Sequence, residues 1–286
     1  MIPSIPQPRA LKLTYAAYVA IFFVYLAAPL IVVGAFAFND SLFPSLPWNG
    51  FTLDWFFGDV PPRTGLFQDG PIIGSIGISL LVAVLVTALS LVVGTCNAFL
   101  FERENFPFKD ILYIAMLAPL VVPGVILGIS ILVFSNSLIN WIDALFGFEI
   151  ELLRPGLLLV VLGQFSFITT IATLVIAARL RKFDRTLEEA ARNLGASQFR
   201  AIRTVTLPYL RPAMLGAGIV TLLMSFENFN TTLMLVGPDA PLTITMFDRL
   251  REGSTPVLNA VSLFLMVASA GLALIGILVQ RPEKKD

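Results

Sequence analysis

The sequence contains no histidine. Without imidazole there can be no His-based nucleophilic triad and no His-ligated metal centre. A single cysteine, Cys96, lies inside an apolar run, so no internal disulfide can form and the residue reads as a small buried hydrophobe. No stretch fits G-x-x-x-x-G-K-[ST], so the chain lacks the phosphate cradle with which it would hydrolyse ATP itself. Charge is scarce: 13% of residues are Asp, Glu, Lys or Arg, about half the share of a soluble domain. The 19 basic and 19 acidic residues cancel, leaving no net field for nucleic acid, and no such partner is expected. Nor is there an internal repeat, which weighs against an inverted-repeat secondary carrier.

What the chain has in abundance is hydrophobicity, at 57% of its residues. Six apolar runs, at 14–38, 72–101, 111–135, 155–178, 212–236 and 256–280, are each long enough for a spanning helix of about 20 residues. The first follows Arg9 and Lys12 as a signal-peptide core would, but it is too long for an h-region of about 7 to 15 residues and reads as an uncleaved span. The pattern predicts an all-α polytopic protein, residues 1–286 forming one transmembrane domain. Residues 39–71, rich in Pro and Gly and carrying Trp48 and Trp55, read as an irregular external cap. Trp141, Ile142, Leu145 and Phe146 suggest a short interfacial helix, and 237–255 an external loop.

Counting Lys and Arg orients the map. The N-terminus, the 102–110 turn, the 179–211 segment and the tail hold 15, and the three opposite loops hold 4. The positive-inside rule puts both termini and 179–211 in the cytoplasm.

That segment, 179–211, is the one long polar stretch between two apolar runs. Phe183, Leu187, Ala190, Ala191 and Leu194 fall on one helical face and Arg185, Glu188, Glu189, Arg192 and Asn193 on or beside the other. Thr186 and Glu189 have capping-box spacing, and Gly195 stands where a left-handed residue would end the helix. A second short helix fits 197–206, broken by Pro208, with Pro212 starting the next span. By pattern alone this is a helix lying on the lipid surface or docking a partner.

Glu189-Ala190-Ala191, Gly195, then Val205 and Leu207-Pro208 resemble the EAA loop of the membrane permeases of ABC importers, with six exact anchors in register and Val205 in place of an isoleucine. The resemblance implies the MetI-like ABC importer permease fold. It also implies that Glu189, Ala190, Ala191, Leu194, Gly195, Leu207 and Pro208 couple the chain to a separate ATPase subunit. Two such ATP-binding subunits, a second permease, in this family usually a distinct homologue, and an extracytoplasmic solute-binding protein complete the complex the resemblance implies. They would lie in and on a bacterial inner membrane, with ATP and Mg held by the partner and no cofactor or metal in this chain.

Within the spans one formal charge stands out, Glu227, in Phe226-Glu227-Asn228-Phe229-Asn230. An ionised side chain at the bilayer centre costs at least ~2 to 3 kcal/mol, so it should face protein or water. On a straight helix it would sit about 22 Å beyond Pro212. With Asn228 and Asn230 as hydrogen-bond partners and Phe226 and Phe229 as cation-binding faces it suits a cationic solute; as a structural carboxyl it would bond a neighbouring helix. Pro119, Pro123 and Gly124 break the third run's pattern as either a hinge or a fixed kink. Gln164, Ser166, Thr169 and Thr170 turn either into the bundle or onto a pore.

Further stretches narrow the resemblance. Pro241-Leu242 through Met246-Phe247, Gly253 through Ser262, and Leu46 through Phe56 look like segments of spermidine/putrescine-type permeases, with Thr243 and Thr245 making a strand there unusually polar. Permeases for ferric iron, thiamine and phosphonates are similar, and a gradient-driven carrier using Glu227 is the competing class. The mechanism implied is alternating access with no covalent chemistry.

Overall fold

Lipid offers no partner to a backbone N–H or C=O, so apolar runs close their hydrogen bonds internally as helices. In the computed structural model, which describes residues 8–44, 46–147, 151–253 and 256–279, six helices are long and apolar enough to cross a bilayer. They make this a multi-pass membrane protein. In chain order the helices are α1 (Arg9–Phe36), α2 (Asp54–Phe57), α3 (Gly70–Arg103), α4 (Lys109–Val121), α5 (Gly124–Phe146), α6 (Leu157–Leu180), α7 (Thr186–Asn193), α8 (Gln198–Ala201), α9 (Leu207–Phe226), α10 (Asn230–Leu235), α11 (Leu242–Glu252) and α12 (Val257–Val279). Strands β1 (Asp59–Val60) and β2 (Arg63–Thr64) form one antiparallel hairpin between α2 and α3.

The chain divides into two compact units, Met1–Gly70 with Arg249–Val267, and Pro71–Asp248 with Ala268–Asp286. In the first, the segment expected to be irregular has a defined core. Trp55 is buried and its indole N–H donates to the Asn39 carbonyl at 2.8 Å, while Arg63 bridges Asp40 and Asp54. Asp69 and Arg249 form a two-pronged ion pair at 2.5 and 2.8 Å that ties the start of α3 to the end of α11. α1 begins at Arg9, earlier than the apolar run, and none of its residues is buried.

The second unit is built on α6, whose buried residues run its whole length. Small residues set how closely its neighbours approach. A Cβ on Gly94 of α3 would lie 2.9 Å from Ala172 Cβ and 3.0 Å from the Thr173 nitrogen, and one on Gly128 of α5 would lie 2.9 Å from Met234 Cβ. The Gly94 obstacle is partly backbone and cannot rotate away. Gly94→Val is therefore expected to cost about 1–3 kcal/mol of stability, read as a lower thermal midpoint of the detergent-solubilised protein. An unchanged midpoint would show that α3 and α6 can separate freely.

Several expectations are corrected. The third run is two helices, not one kinked one: Val122 is extended, as a residue before proline prefers, and separates α4 from α5. Pro123 and Gly124 stand at this break while Pro119 stays inside α4. The interfacial helix expected at 141–146 is the last part of α5, which runs on until Gly147 adopts φ 70°. Pro208 does not break the helix that precedes it. A π-helical turn at Ile202–Thr206 leads directly into α9, and the wider turn accommodates a ring that lacks an N–H. The fifth run ends early, at Phe226, with α10 beyond a three-residue gap. The segment around Thr243 and Thr245 is helix α11, not strand or loop. Cys96 is exposed, on the side of α3 away from Gly94 and Ala98. Lipid solvates apolar side chains, so hydrophobicity here does not imply burial. Ser254, Thr255, Gln280 and the tail 281–286 lie outside the described residues.

Candidate functional site

Two places gather the residues singled out above. The first is the α7 segment. Its start is held by Asp184, whose carboxylate accepts from the Thr186 backbone N–H at 3.0 Å and its hydroxyl at 2.8 Å. The expected capping box between Thr186 and Glu189 is absent because Asp184 takes both donors. Those bonds, the backbone one foremost, hold the Asp184 carboxyl below its ordinary range. A lowered carboxylate pKa stabilises above the ordinary value and stops doing so as pH falls through the folded one, so this cap persists at neutral pH and is lost only in acid. Glu188 and Glu189 in the first turn and Arg192 in the last complement the helix dipole. Gly195 has φ 89°, the left-handed ending expected of it.

The apolar face of this helix is only partly covered. Phe183 is buried against Tyr209 at 5.1 Å, but Leu187 is 51% exposed, Leu194 90% and Phe199, on α8, 74%. Ala190 and Glu189 are exposed, Ala191 half-buried. Leu207 and Pro208 sit half-buried at the start of α9, and Val205, the substituted anchor, packs with Tyr209 against the core containing Ile176, Leu180 and Leu210. The motif thus has two halves, an exposed tip and a packed root. On the root side Glu188 bonds Arg103 at the end of α3 and the Thr206 hydroxyl, and Arg181 pairs with Glu102. On a helical wheel Glu188 is one more solvated charge; its partners lie 85 and 18 residues away, outside the helix.

The second place is the interruption between α9 and α10. Glu227 forms the C-terminal cap of α9, exposed and with no hydrogen bond or ion pair from its carboxylate among the described residues. The two expected asparagine partners do not reach it. Asn228 Oδ1 accepts instead from the Thr232 N–H at 3.3 Å and hydroxyl at 3.0 Å, and Asn230, exposed, begins α10. Phe229 packs on Phe247 of α11 at 4.9 Å, and Phe226 ends α9 half-buried.

What holds the interruption open is Gln164 of α6, 1% exposed. Its Nε2 donates to the Thr232 hydroxyl at 2.9 Å on α10, and its Oε1 accepts from the Ser225 hydroxyl at 2.5 Å on α9. One amide spans the gap. Thr243 then donates to the Asn228 carbonyl at 3.1 Å and Thr231 to the Gly124 carbonyl at 3.3 Å, so the break at Val122–Pro123 and the break at 227–229 adjoin. The remaining polar groups of α6 also turn into the bundle: Thr169 bonds Ser90 and Thr170 bonds the Met116 carbonyl, while Ser166 bonds back to Gly163. A gap in a spanning helix leaves backbone groups to be satisfied by protein or by a water-lined path. An unpaired carboxylate at such a gap is suited to meet a polar solute. Among the described residues no cluster of three acidic or cysteine side chains is placed to hold a metal.

Comparison with known proteins gives a consistent picture. The chain is 29% identical over 266 residues to the putrescine transport system permease protein PotI of Escherichia coli (strain K12), covering 92% of this chain and 89% of that one. It is 23% identical over 275 residues to the spermidine/putrescine transport system permease protein PotC of the same strain, covering 96% of each. Its fold matches a chain in the crystal structure of a bacterial ABC transporter involved in the import of the acidic polysaccharide alginate, with TM-score 0.76, 18% identity and 96% coverage of both chains. Residues 94–281, which include α6, the exposed α7 tip and the α9–α10 interruption, match the model of the binding-protein-dependent transport system inner membrane component, and the chain belongs to that family.

Proposed function

We propose that this chain is the membrane-spanning subunit of an ATP-driven importer of a polyamine such as putrescine or spermidine, delivered by an extracytoplasmic binding protein. A second permease completes the path. ATP, with Mg, is hydrolysed on two separate subunits, one docking on the α7 tip of this chain, formed by Glu189, Ala190, Ala191, Leu194 and Gly195, and the other on the matching loop of the second permease, with both termini on that cytoplasmic side. Closure of the ATPase pair pulls the α7 segments together and turns the path outward; hydrolysis reverses it.

The observation that carries the proposal is the exposure of Leu187 and Leu194 on a short polar helix between two spanning helices. An apolar tip on a rigidly rooted helix in the aqueous phase is what a partner's groove needs. The choice of a cationic solute rests on Glu227, unpaired at the interruption, on the Phe229–Phe247 aromatic pair close by in sequence and fold, and on the lack of Lys or Arg anywhere in 212–236. The names of the relatives agree with it.

The test is co-purification from the native membrane followed by reconstitution. The ATPase should accompany the chain, and its turnover should rise with binding protein plus polyamine. Transport of the solute by the purified chain without a nucleotide-hydrolysing partner, as a gradient-driven carrier would manage, overturns the proposal. For the solute site, Glu227→Gln should raise the KM for a polyamine by about tenfold, the loss of one partly desolvated charge contact of about 1.4 kcal/mol. Unchanged uptake kinetics would remove Glu227 from the path.

A further inference from the structure

The polar face of α7 sends a single side chain to the spanning helices. Both oxygens of Glu188 accept from Nη1 of Arg103, the last residue of α3, at 2.8 Å each, and Oε1 also accepts the hydroxyl proton of Thr206, one residue before α9. Among the described residues no other side chain of α7 hydrogen-bonds to α3 or α9. The junction is largely shielded from water: the Glu188 and Arg103 side chains are 15% and 14% exposed, and Thr206 is buried. The Arg103 guanidinium lies over the Phe99 ring at 4.7 Å and the Phe183 ring at 5.7 Å, and its Nη2 finds no hydrogen-bond partner. Glu188 is therefore the counter-charge of a guanidinium packed among rings, in a setting where a charged hydrogen bond is stiff and directional.

We propose that Glu188 is the positioning residue that makes α3 and α9 follow α7 together, so that a displacement imposed on the exposed tip reaches both spanning helices at once. The tip and the pin lie on different faces of the same short helix, Glu188 about 100° around from Leu187. Leu187 and Leu194 are exposed, while Glu188 ties the helix inward both to the end of α3, 85 residues away in the chain, and to the start of α9, beyond α8 and the π-helical turn. Without the pin, α7 is left with its chain ends, the Arg185 bond to the Glu102 carbonyl at 3.0 Å and packing against the π-helical turn. A push would then swing the helix without moving α3 and α9 in step. The inference rests on the docking of an ATPase subunit on α7 proposed above.

The experiment uses the whole reconstituted complex in a Cys96→Ser background, which removes the chain's one native thiol. It compares the parent, Glu188→Ala, and the double variant Glu188→Cys with Arg103→Cys before and after treatment with a short thiol-to-thiol cross-linker. Two quantities are read, the amount of ATPase subunit that co-purifies and the solute moved per ATP hydrolysed. Glu188→Ala and the untreated double variant should keep the ATPase subunit but lower solute moved per ATP by at least about fivefold, the lower end of ordinary site-to-site coupling. Cross-linking the double variant, which restores a tie between α7 and α3 without charge, should recover most of the ratio. An unchanged ratio in Glu188→Ala overturns the inference. So does a lowered ratio that the cross-link leaves low, or a loss of co-purification that it leaves lost, since either shows a merely local folding role. Failure of the unmutated chain to hold an ATPase subunit is a different result and counts against the docking proposal itself.

Discussion

Gly195→Val is expected to reduce ATP-driven uptake by at least about tenfold while leaving the amount of protein in the membrane near normal. Gly195 has φ 89°, a region in which a residue with a Cβ is strained by roughly 1–2 kcal/mol and a β-branched one by more. Nothing lies within 4 Å of the Cβ it would acquire, so the effect comes through the backbone and not through a clash. The strain is relieved by moving Leu194, 90% exposed, and the turn into α8 out of line. A companion, Leu194→Glu, keeps the backbone and puts a charge on the tip where an apolar groove is expected; it should lower co-purification of the ATPase subunit. Immunodetection in membranes and uptake of labelled polyamine are the two measurements. Normal uptake in both variants would remove the α7 tip from the coupling path.

Gln164→Leu is expected to raise the KM for solute by about tenfold or more and to lower the thermal midpoint. The substitution keeps volume but removes the amide that joins Ser225 of α9 to Thr232 of α10. Two buried hydrogen bonds go, worth about 1–3 kcal/mol together, because the freed serine and threonine hydroxyls can turn back to helix carbonyls. Loss of the clasp lets the ends at 227–229 drift, and Asn228 and Glu227 with them. Gln164→Glu, kept neutral by burial at a site 1% exposed, retains an acceptor for Ser225 and one O–H donor for Thr232 in place of the amide's two, and so should fall between the leucine variant and the parent. A KM that stays at the parent value in Gln164→Leu, with only the midpoint lowered, would make the network a packing device with no bearing on solute.

Much of the α7 segment was legible because its determinants are local. A left-handed glycine, an alternation of apolar and polar positions over two turns, and the interval to Leu207-Pro208 all lie within about twenty residues of chain. The α9–α10 interruption was legible only as composition. Glu227 drew notice as a charge in an apolar run, but a straight helix was expected through it, with Asn228 and Asn230 turned toward it. Asn228 turns instead to Thr232, and α9 has already ended. Two prolines make the same point. Pro123 ends a helix and Pro208 does not, though both follow a helical pattern, because an extended valine precedes Pro123 whereas a π-helical turn leads into Pro208. Glu188 was invisible as a pin because Arg103 is 85 residues away and Thr206 is 18.

The amino-acid order by itself determined that this chain crosses a bilayer six times by helices, since only runs of that length and hydrophobicity satisfy their backbones across lipid, and it determined where the aqueous helix between the fourth and fifth crossings begins and ends. Tertiary structure alone decided where the crossings are interrupted and which polar side chains hold them so. A helix gap is held only if groups from other segments satisfy or brace its ends: Thr243 and Thr231 donate to the Asn228 and Gly124 carbonyls, 15 and 107 residues away, and Gln164 clasps the Ser225 and Thr232 hydroxyls, 61 and 68 away. Burial followed the same division: with lipid outside, an apolar side chain such as Cys96 gains little by facing inward, so hydrophobicity marks the span but only packing says which face is enclosed.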